Sequence, residues 1–218
     1  MNLHLTLQAS HRGHNVETSG RVGDILQFWF AETSRSAFEI DARMTLWFGD
    51  EKQLATTIRE RFQDDVERAS RGEFDDWSER PAGRLALILL LDRFRRALYH
   101  GTQAAYAKDH DALTLAVRGI ERKHDRDLAA VERAFFYMPL QRSESLKVQE
   151  FSVRIFNSLL NSVDASYKAT FETFLDFAEL HRDIVRQFGR FPHRNTILGR
   201  ADTPEEAAYL ARDLRNAG

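Results

Sequence analysis

Cysteine is absent from the 218-residue chain. Its absence excludes disulfides, thiolate zinc sites and a cysteine nucleophile, and it fits a reducing cytoplasm. Long apolar runs are absent too: the longest, Leu85 to Leu91, has seven residues, whereas a membrane-spanning helix needs about 20. The N-terminal residues lack the basic and apolar regions of a signal peptide. We therefore expect a cytoplasmic protein without membrane contact.

Neither sign of charge is in large excess, because 31 Lys and Arg stand against 33 Asp and Glu, a net charge of −2. Proteins that bind nucleic acid through its phosphates usually carry a clear basic excess, so we do not expect nucleic acid as a partner. The sequence has no His-Glu-x-x-His, P-loop, Gly-x-Gly-x-x-Gly or Gly-x-Ser-x-Gly motif. We predict no metal and no cofactor.

Helical periodicity is what the sequence has in abundance. Apolar residues recur every four positions at Leu54, Ile58, Phe62 and Val66, which is typical of a buried helix stripe. The segment from Arg84 to Tyr99 begins apolar on all sides, and its later residues keep helical spacing, so it predicts a central helix rather than a buried strand. A helix from about Ala129 is expected to stop before Pro139, and Thr102 is expected to cap a helix that runs to Glu121.

These patterns predict an all-α fold: about eight or nine helices arranged as an array of antiparallel helix pairs. Residues 1–19 are polar, contain three His, and are expected to form a mobile arm. No Pro-, Gly- or Ser-rich linker interrupts the rest. We therefore predict a single helical domain over residues 20–218.

The first candidate site is Asp92 with Arg96. The two residues lie four positions apart, so they share a helix face and can pair. Asp92 ends the most apolar stretch of the chain, where a carboxylate either emerges at a rim or is buried and paired. Two interpretations remain open: an acid, base or anion-binding group at a pocket mouth, or a structural ion pair.

The second candidate surrounds an aromatic stretch that ends at a proline. Glu132 and Arg133 precede it, Tyr137 lies within it, and Ser143 and Glu144 follow. Ser143 is expected to begin the next helix, whose free backbone N–H groups could bind an anion. The alternative is that Ser143 only caps that helix while Glu144 favours its dipole.

The third candidate is a loop near the C-terminus that contains Arg190, His193, Arg194 and Asn195. From His181 to Arg200 there are five Arg, two His and one acidic residue. Arg190 or Arg194 could hold a phosphate or carboxylate through two parallel hydrogen bonds. The alternative is a structural loop whose Arg side chains cap helix C-termini. A metal site of His181 and His193 with Glu132 or Glu144 would depend on packing that the spacing does not specify.

Five segments in a fixed order resemble the bacterial domain-of-unknown-function family 924. They are Ile25-Leu26-Gln27-Phe28-Trp29-Phe30, Trp47-Phe48-Gly49, Gly83 to Asp92, Glu132-Arg133 to Tyr137-Met138-Pro139, and Phe188 to Asn195. The resemblance covers about residues 22–212. It implies an all-α fold similar to tetratricopeptide-repeat proteins and implies no established activity.

Two segments depart from the family pattern. After the aspartate the family usually has Gln-Phe-Pro-Arg-Asn, where this chain has Arg93-Phe94-Arg95-Arg96-Ala97. Before the Ser-Glu pair the family usually has Met-His, where this chain has Gln141-Arg142. The first departure lets the helix continue, and the second puts in doubt any family chemistry that uses that His.

Two hypotheses of function follow. The first is a binding or scaffold protein whose helix array offers a concave surface to a peptide, a protein or a small ligand. The second is an enzyme or small-molecule binder that takes an anionic ligand into a charged pocket. That pocket would join the loop at residues 190–195 to Asp92, Glu132 and His181, and the hypothesis requires these groups to converge.

Overall fold

A computed structural model of the chain describes residues 20–31, 37–49 and 51–216, and every regular element within those ranges is helical. The α-helices are α1 (Arg21–Phe30), α2 (Ala37–Phe48), α3 (Glu51–Ser70), α4 (Pro81–Leu89), α5 (Arg95–Leu98), α6 (Asp109–Glu121), α7 (Ala130–Gln141), α8 (Leu146–Asn161), α9 (Lys168–Phe188), α10 (Asn195–Leu198) and α11 (Pro204–Asn216). A π-helical turn, Leu90–Phe94, joins α4 and α5 into one rod.

The all-α prediction is confirmed. With the α4–α5 rod taken as one helix and the single-turn α10 set aside, nine helices remain in the described ranges. The predicted arm at residues 1–19 lies outside them. No helix of the described segments has both the length and the apolar composition needed to cross a membrane.

The α4–α5 rod lies at the centre of the fold. Its apolar run from Leu85 to Leu91 is at most 5% exposed, because α1, α3, α6 and α7 all pack against the rod. Burial of each large apolar side chain contributes about 1.5–3 kcal/mol. A helix that is surrounded in this way has no polar face, which explains why its sequence is apolar on all sides at first.

Aromatic rings fill the space between this rod and its neighbours. Trp29 of α1 and Trp47 of α2 lie against Phe135 of α7, with ring centroids 5.6 and 4.7 Å apart. The Trp47 indole N–H donates a hydrogen bond to the Trp29 carbonyl at 3.0 Å. These contacts tie the N-terminal helices to the middle of the chain.

The C-terminal half consists of helices that pack on their sequence neighbours. Helix α8 contacts both α7 and α9 extensively, and short connections separate these helices. A separate small cluster of Ile184, Val185 and Phe191, with Phe188 and Tyr209 at its edge, packs the end of α9 against the C-terminal loop and α11. This cluster fixes the position of residues 190–195 relative to α9. The tetratricopeptide-like repeat stays a prediction.

Three predicted helix boundaries, at Pro139, Thr102 and Ser143, were wrong. Pro139 lies inside α7 instead of ending it. Residues Val131 to Gln141 are nearly all buried, so packing on both sides outweighs the roughly 3 kcal/mol that an interior proline costs. Thr102 precedes a 3₁₀ turn, Gln103–Tyr106, and α6 begins only at Asp109.

Candidate functional site

The π-helical turn places Asp92 in the interior, where its residue is 1% exposed. Such turns insert one extra residue into a helix and are frequent at functional sites. The Asp92 Oδ1 atom accepts a hydrogen bond from Arg96 Nε at 2.8 Å, and Oδ2 accepts one from Arg142 Nε at 2.8 Å. Arg142 lies in the connection between α7 and α8, so the pair joins two parts of the chain that are far apart in sequence.

Burial alone would raise the pKa of the Asp92 carboxyl. The positive charges of Arg142 and Arg96 outweigh that effect and hold the pKa of Asp92 below its ordinary value. Burial lowers the pKa of the Arg142 guanidinium, and the Asp92 charge opposes this shift. Asp92 is therefore a charged carboxylate at neutral pH, held by two arginines.

A second carboxylate, Asp109, begins α6 and extends the network. Its Oδ1 atom accepts a hydrogen bond from Arg96 Nη2 at 2.6 Å, and its Oδ2 atom accepts one from Arg194 Nη1 at 3.4 Å. Burial raises the pKa of the Asp109 carboxyl above its ordinary value, and the positive charge of Arg96 offsets this effect only in part. We call Asp92, Arg96, Asp109, Arg142 and Arg194 the charged cluster.

Three guanidinium groups share two carboxylates in the charged cluster, so it carries one excess positive charge. Arg194 is 7% exposed, and its Nε atom has no hydrogen-bond partner among the described residues. Burial is the main cause that lowers the pKa of Arg194 to about 10, which leaves it protonated at neutral pH. Within the described ranges, no residue accepts a hydrogen bond from the two terminal nitrogens of Arg142. The cluster therefore has donors to spare.

A pocket of about 210 Å³ adjoins this cluster. Its lining includes Arg93, Arg96, Arg142, His100 and Tyr106. The Tyr106 ring lies beneath both the Arg96 guanidinium, at 4.8 Å, and the Arg194 guanidinium, at 5.1 Å. Cation–π contacts of this kind hold the guanidinium planes in place. The pocket is therefore basic on several sides.

His181 of α9 lies close to the charged cluster. Its Nδ1 atom is buried and has no hydrogen-bond partner in the described part of the chain. Burial, followed by the positive charge of Arg142, lowers the pKa of His181 to about 4. The imidazole ring also packs edge-on against Phe191, with centroids 5.4 Å apart. Because its pKa is about 4, the His181 imidazole is neutral at pH 7.

Most of the C-terminal loop residues serve the loop itself. Arg190 donates to both oxygens of Glu206, at 2.6 and 2.7 Å, and the buried Asn195 side chain donates to Asp202 and Glu206. The hydrogen bonds from Arg190 are the main cause that lowers the pKa of Glu206 to about 2. Arg190 and Asn195 thus have partners within the loop and α11, whereas Arg194 turns to the charged cluster.

Glu144 and His193 also belong to this region. Glu144 accepts hydrogen bonds from Arg200, at 2.7 and 3.0 Å, and from the Phe191 backbone N–H at 2.8 Å. It therefore anchors the loop to the start of α8. His193 is exposed, and its ring lies 5.4 Å from that of Phe191.

Glu132, Arg133 and Tyr137 make no hydrogen bond to the charged cluster among the described residues. Glu132 accepts a hydrogen bond from the Ala129 backbone N–H at 2.8 Å and so caps α7. Arg133 donates to the Tyr137 hydroxyl, which donates to Asp125 at 2.6 Å. Burial is the main cause that raises the pKa of Tyr137 to about 12.

Ser143 does not begin a helix. Helix α8 starts at Leu146, and the Ser143 hydroxyl accepts a hydrogen bond from the Ser145 backbone N–H at 3.2 Å. The segment between α7 and α8 is instead held by Gln149, whose side-chain amide donates to the carbonyls of Gln141 and Ser143. This arrangement fixes the backbone on either side of Arg142.

The sequence profile described as "Bacterial protein of unknown function (DUF924)" matches residues 25–213. The chain belongs to this family. It is similar to a solved structure, the "Protein of Unknown Function ATU0120 from Agrobacterium tumefaciens", at 36% sequence identity. The alignment covers 87% of this chain and 96% of that one, with a TM-score of 0.73. No curated relative matches the chain.

Within this DUF924 member, the sequence singled out Asp92, Arg96, His181 and Arg194 but missed Asp109, Arg142 and Tyr106. Arg142 had a signal, because it replaces the His expected from the family pattern. Asp109 and Tyr106 had none, since one begins a helix as many acids do and the other lies in a turn. In the described part of the chain, no group of three or more His, Asp or Glu side chains is arranged to hold a metal ion.

Proposed function

We propose that this DUF924 protein binds a small anionic ligand, a carboxylate or a phosphate, in the pocket beside the charged cluster. The observation that carries the proposal is the arrangement of three arginines around the buried Asp92 and the partly buried Asp109, with Arg142 in the lining of the pocket. An anion placed there would neutralise the excess positive charge and accept hydrogen bonds that the protein itself leaves unmade.

Arginine suits this role better than lysine would. Its planar group can give one edge to a structural carboxylate and keep the other edge for a ligand. Arg142 fits this description, because its Nε atom binds Asp92 and the residue also lines the pocket. The ion pair with Asp92 therefore orients the Arg142 guanidinium, and it does not prevent that group from binding a ligand as well.

The test is calorimetric titration of the protein with inorganic phosphate and with acetate. Arg142→Gln is expected to weaken binding by about 10- to 100-fold, since hydrogen bonds to charged groups contribute about 1.5–3 kcal/mol. Arg122→Gln is the matched control, because Arg122 makes an exposed ion pair with Glu79 outside the cluster. Equal affinity in Arg142→Gln and the wild type, or no binding to the wild type, would refute the proposal.

A scaffold for a peptide or protein partner is the second candidate function. It is favoured by the exposure of Phe48, Phe177 and Leu180, which are 43%, 42% and 50% exposed. Apolar side chains grouped on a surface often mark an interaction site. The anion proposal comes first because it rests on charged side chains that packing holds in fixed orientations. Removing such charges from water costs free energy, which a bound anion would help to offset.

A further inference from the structure

An aromatic pair lies on the surface where the end of α2 meets α9. The rings of Phe48 and Phe177 are stacked, with centroids 6.3 Å apart and an interplanar angle of 17°. Both side chains are more than 40% exposed. Phe48 also approaches the buried Phe174 at 6.2 Å, so the pair is an outward extension of the core. We call Phe48 and Phe177 the aromatic pair.

Arg93 connects the aromatic pair to the basic pocket. The Arg93 guanidinium, which lines the pocket, lies 5.8 Å from the Phe48 ring centroid. The Phe177 ring also lies 6.4 Å from that of His181, and the positive charge of Arg142 acts on the pKa of His181. The aromatic pair is therefore one residue away from the pocket lining, through Arg93.

Arg93 is held in place between the two features. It donates a hydrogen bond to the Trp47 carbonyl, and its guanidinium lies 5.5 Å from the Trp29 ring centroid. A single ligand that reached from Arg142 to the aromatic pair would pass this arginine. Arg93 thus contacts the aromatic pair and also lines the basic pocket.

We propose that the ligand of this pocket is an aromatic anion: a carboxylate or phosphate headgroup that binds Arg142, carried on an aromatic ring that packs against Phe48 and Phe177. This inference rests on the proposed anion site and names the chemical class of its ligand. Charge complementarity selects the occupant, because a purely apolar partner would leave the Arg142 donors unused. A bare inorganic ion would leave the aromatic pair exposed.

Ring stacking determines how large the effect should be. Offset aromatic contacts contribute beyond the area they bury, and together the two effects correspond to about a tenfold gain in affinity or more. The spacer between headgroup and ring matters as well. Only a ligand of matching length can reach both features, so affinity is expected to pass through a maximum as the spacer lengthens.

The experiment compares bare and phenyl-bearing anions by calorimetry. The probes are acetate, phenylacetate and 4-phenylbutyrate as one series, with inorganic phosphate and phenyl phosphate as another. In the wild type, at least one phenyl-bearing anion of each series is expected to bind about tenfold tighter than its bare counterpart. Phe177→Ala should remove this gain and leave the affinity for acetate and phosphate unchanged.

Two further variants complete the design. Phe177→Leu keeps an apolar side chain without a ring and should retain only part of the gain. Leu146→Ala is the control, because Leu146 is an exposed apolar residue, at 37%, on α8, whereas the aromatic pair lies on α2 and α9. Circular dichroism of each variant confirms that the helices remain intact.

The outcomes separate this inference from the proposed function. If no anion binds the wild type, the proposed function fails and this inference falls with it. If bare anions bind but a phenyl group adds nothing, or if Phe177→Ala keeps the gain, only this inference is wrong. If the wild type is dimeric by light scattering and Phe177→Ala is monomeric, a second copy covers the aromatic pair, and the inference is again overturned.

Discussion

Replacement of Asp92 by Asn tests how far the buried carboxylate holds the centre of the fold together. The substitution keeps the shape of the side chain but removes the charge that Arg96 and Arg142 contact at 2.8 Å. An Asn side chain offers one oxygen acceptor where Asp offers two, and its amide N–H groups would face the arginines. Both guanidinium groups would then lose the negative charge that balances them and part of their hydrogen bonding.

The expected loss follows from the burial of the group. Asp92 is 1% exposed, so solvent does not screen its interactions. Removal of one member of a buried ion pair costs about 3–5 kcal/mol. The free energy of unfolding of a natural globular protein is about 5–15 kcal/mol, so Asp92→Asn should lose a large share of its stability.

The assay is urea unfolding followed by circular dichroism at pH 7. Glu73→Gln is the matched control, because Glu73 also binds two arginines, Arg68 and Arg71, but at the surface. We expect its unfolding midpoint to match that of the wild type. A loss below about 1 kcal/mol in Asp92→Asn, the range of an exposed pair, would refute the reasoning.

The pH dependence gives a second check on Asp92. Its folded-state pKa lies below the ordinary value, so the unfolded chain binds this proton first as the pH falls. The stability that Asp92 contributes is therefore complete above its unfolded pKa of about 4 and is lost as the pH falls through the folded pKa. The difference in the free energy of unfolding between the wild type and Asp92→Asn should be constant from pH 7 to 5. It should become smaller only at lower pH.

Two other substitutions are expected to change stability. In Gly119→Ala, the added Cβ would lie 2.4 Å from a side-chain atom of Phe136 and 2.5 Å from one of Arg84. Overpacking of about 1–3 kcal/mol should outweigh the higher helix propensity of Ala, so the variant should be less stable than the wild type. Urea unfolding measures this, and a more stable variant would contradict it. His181 is neutral when folded, with a pKa of about 4, lowered by burial and by Arg142. Because the unfolded chain takes up that proton below about pH 6.5, stability should fall with a slope of about 1.4 kcal/mol per pH unit between pH 6 and 4.5. His181→Leu should remove that contribution, and an unchanged pH profile in the variant would show that His181 does not titrate in this way.

Helix content could be predicted because its signal is local. The four-residue spacing of Leu54, Ile58, Phe62 and Val66 reflects a buried stripe of α3, and all four are at most 6% exposed. The Asp92–Arg96 pair could be predicted for the same reason, since two residues four apart on a helix must be neighbours. The error at Pro139 shows where this reasoning stops, because burial on both sides of α7 overrides a local helix breaker.

The sequence by itself determined the helices, the apolar rod at their centre and the pairing of residues one turn apart. It could not decide which of the charged residues meet. Arg142 reaches Asp92 across 50 positions, and Arg194 reaches Asp109 across 85, while Arg190 from the same loop turns to Glu206 instead. Helix periodicity depends on neighbouring residues, but the partner of a charged side chain depends on how whole helices pack. Tertiary structure alone therefore decided that one arginine of the loop supports the pocket and the other supports the loop.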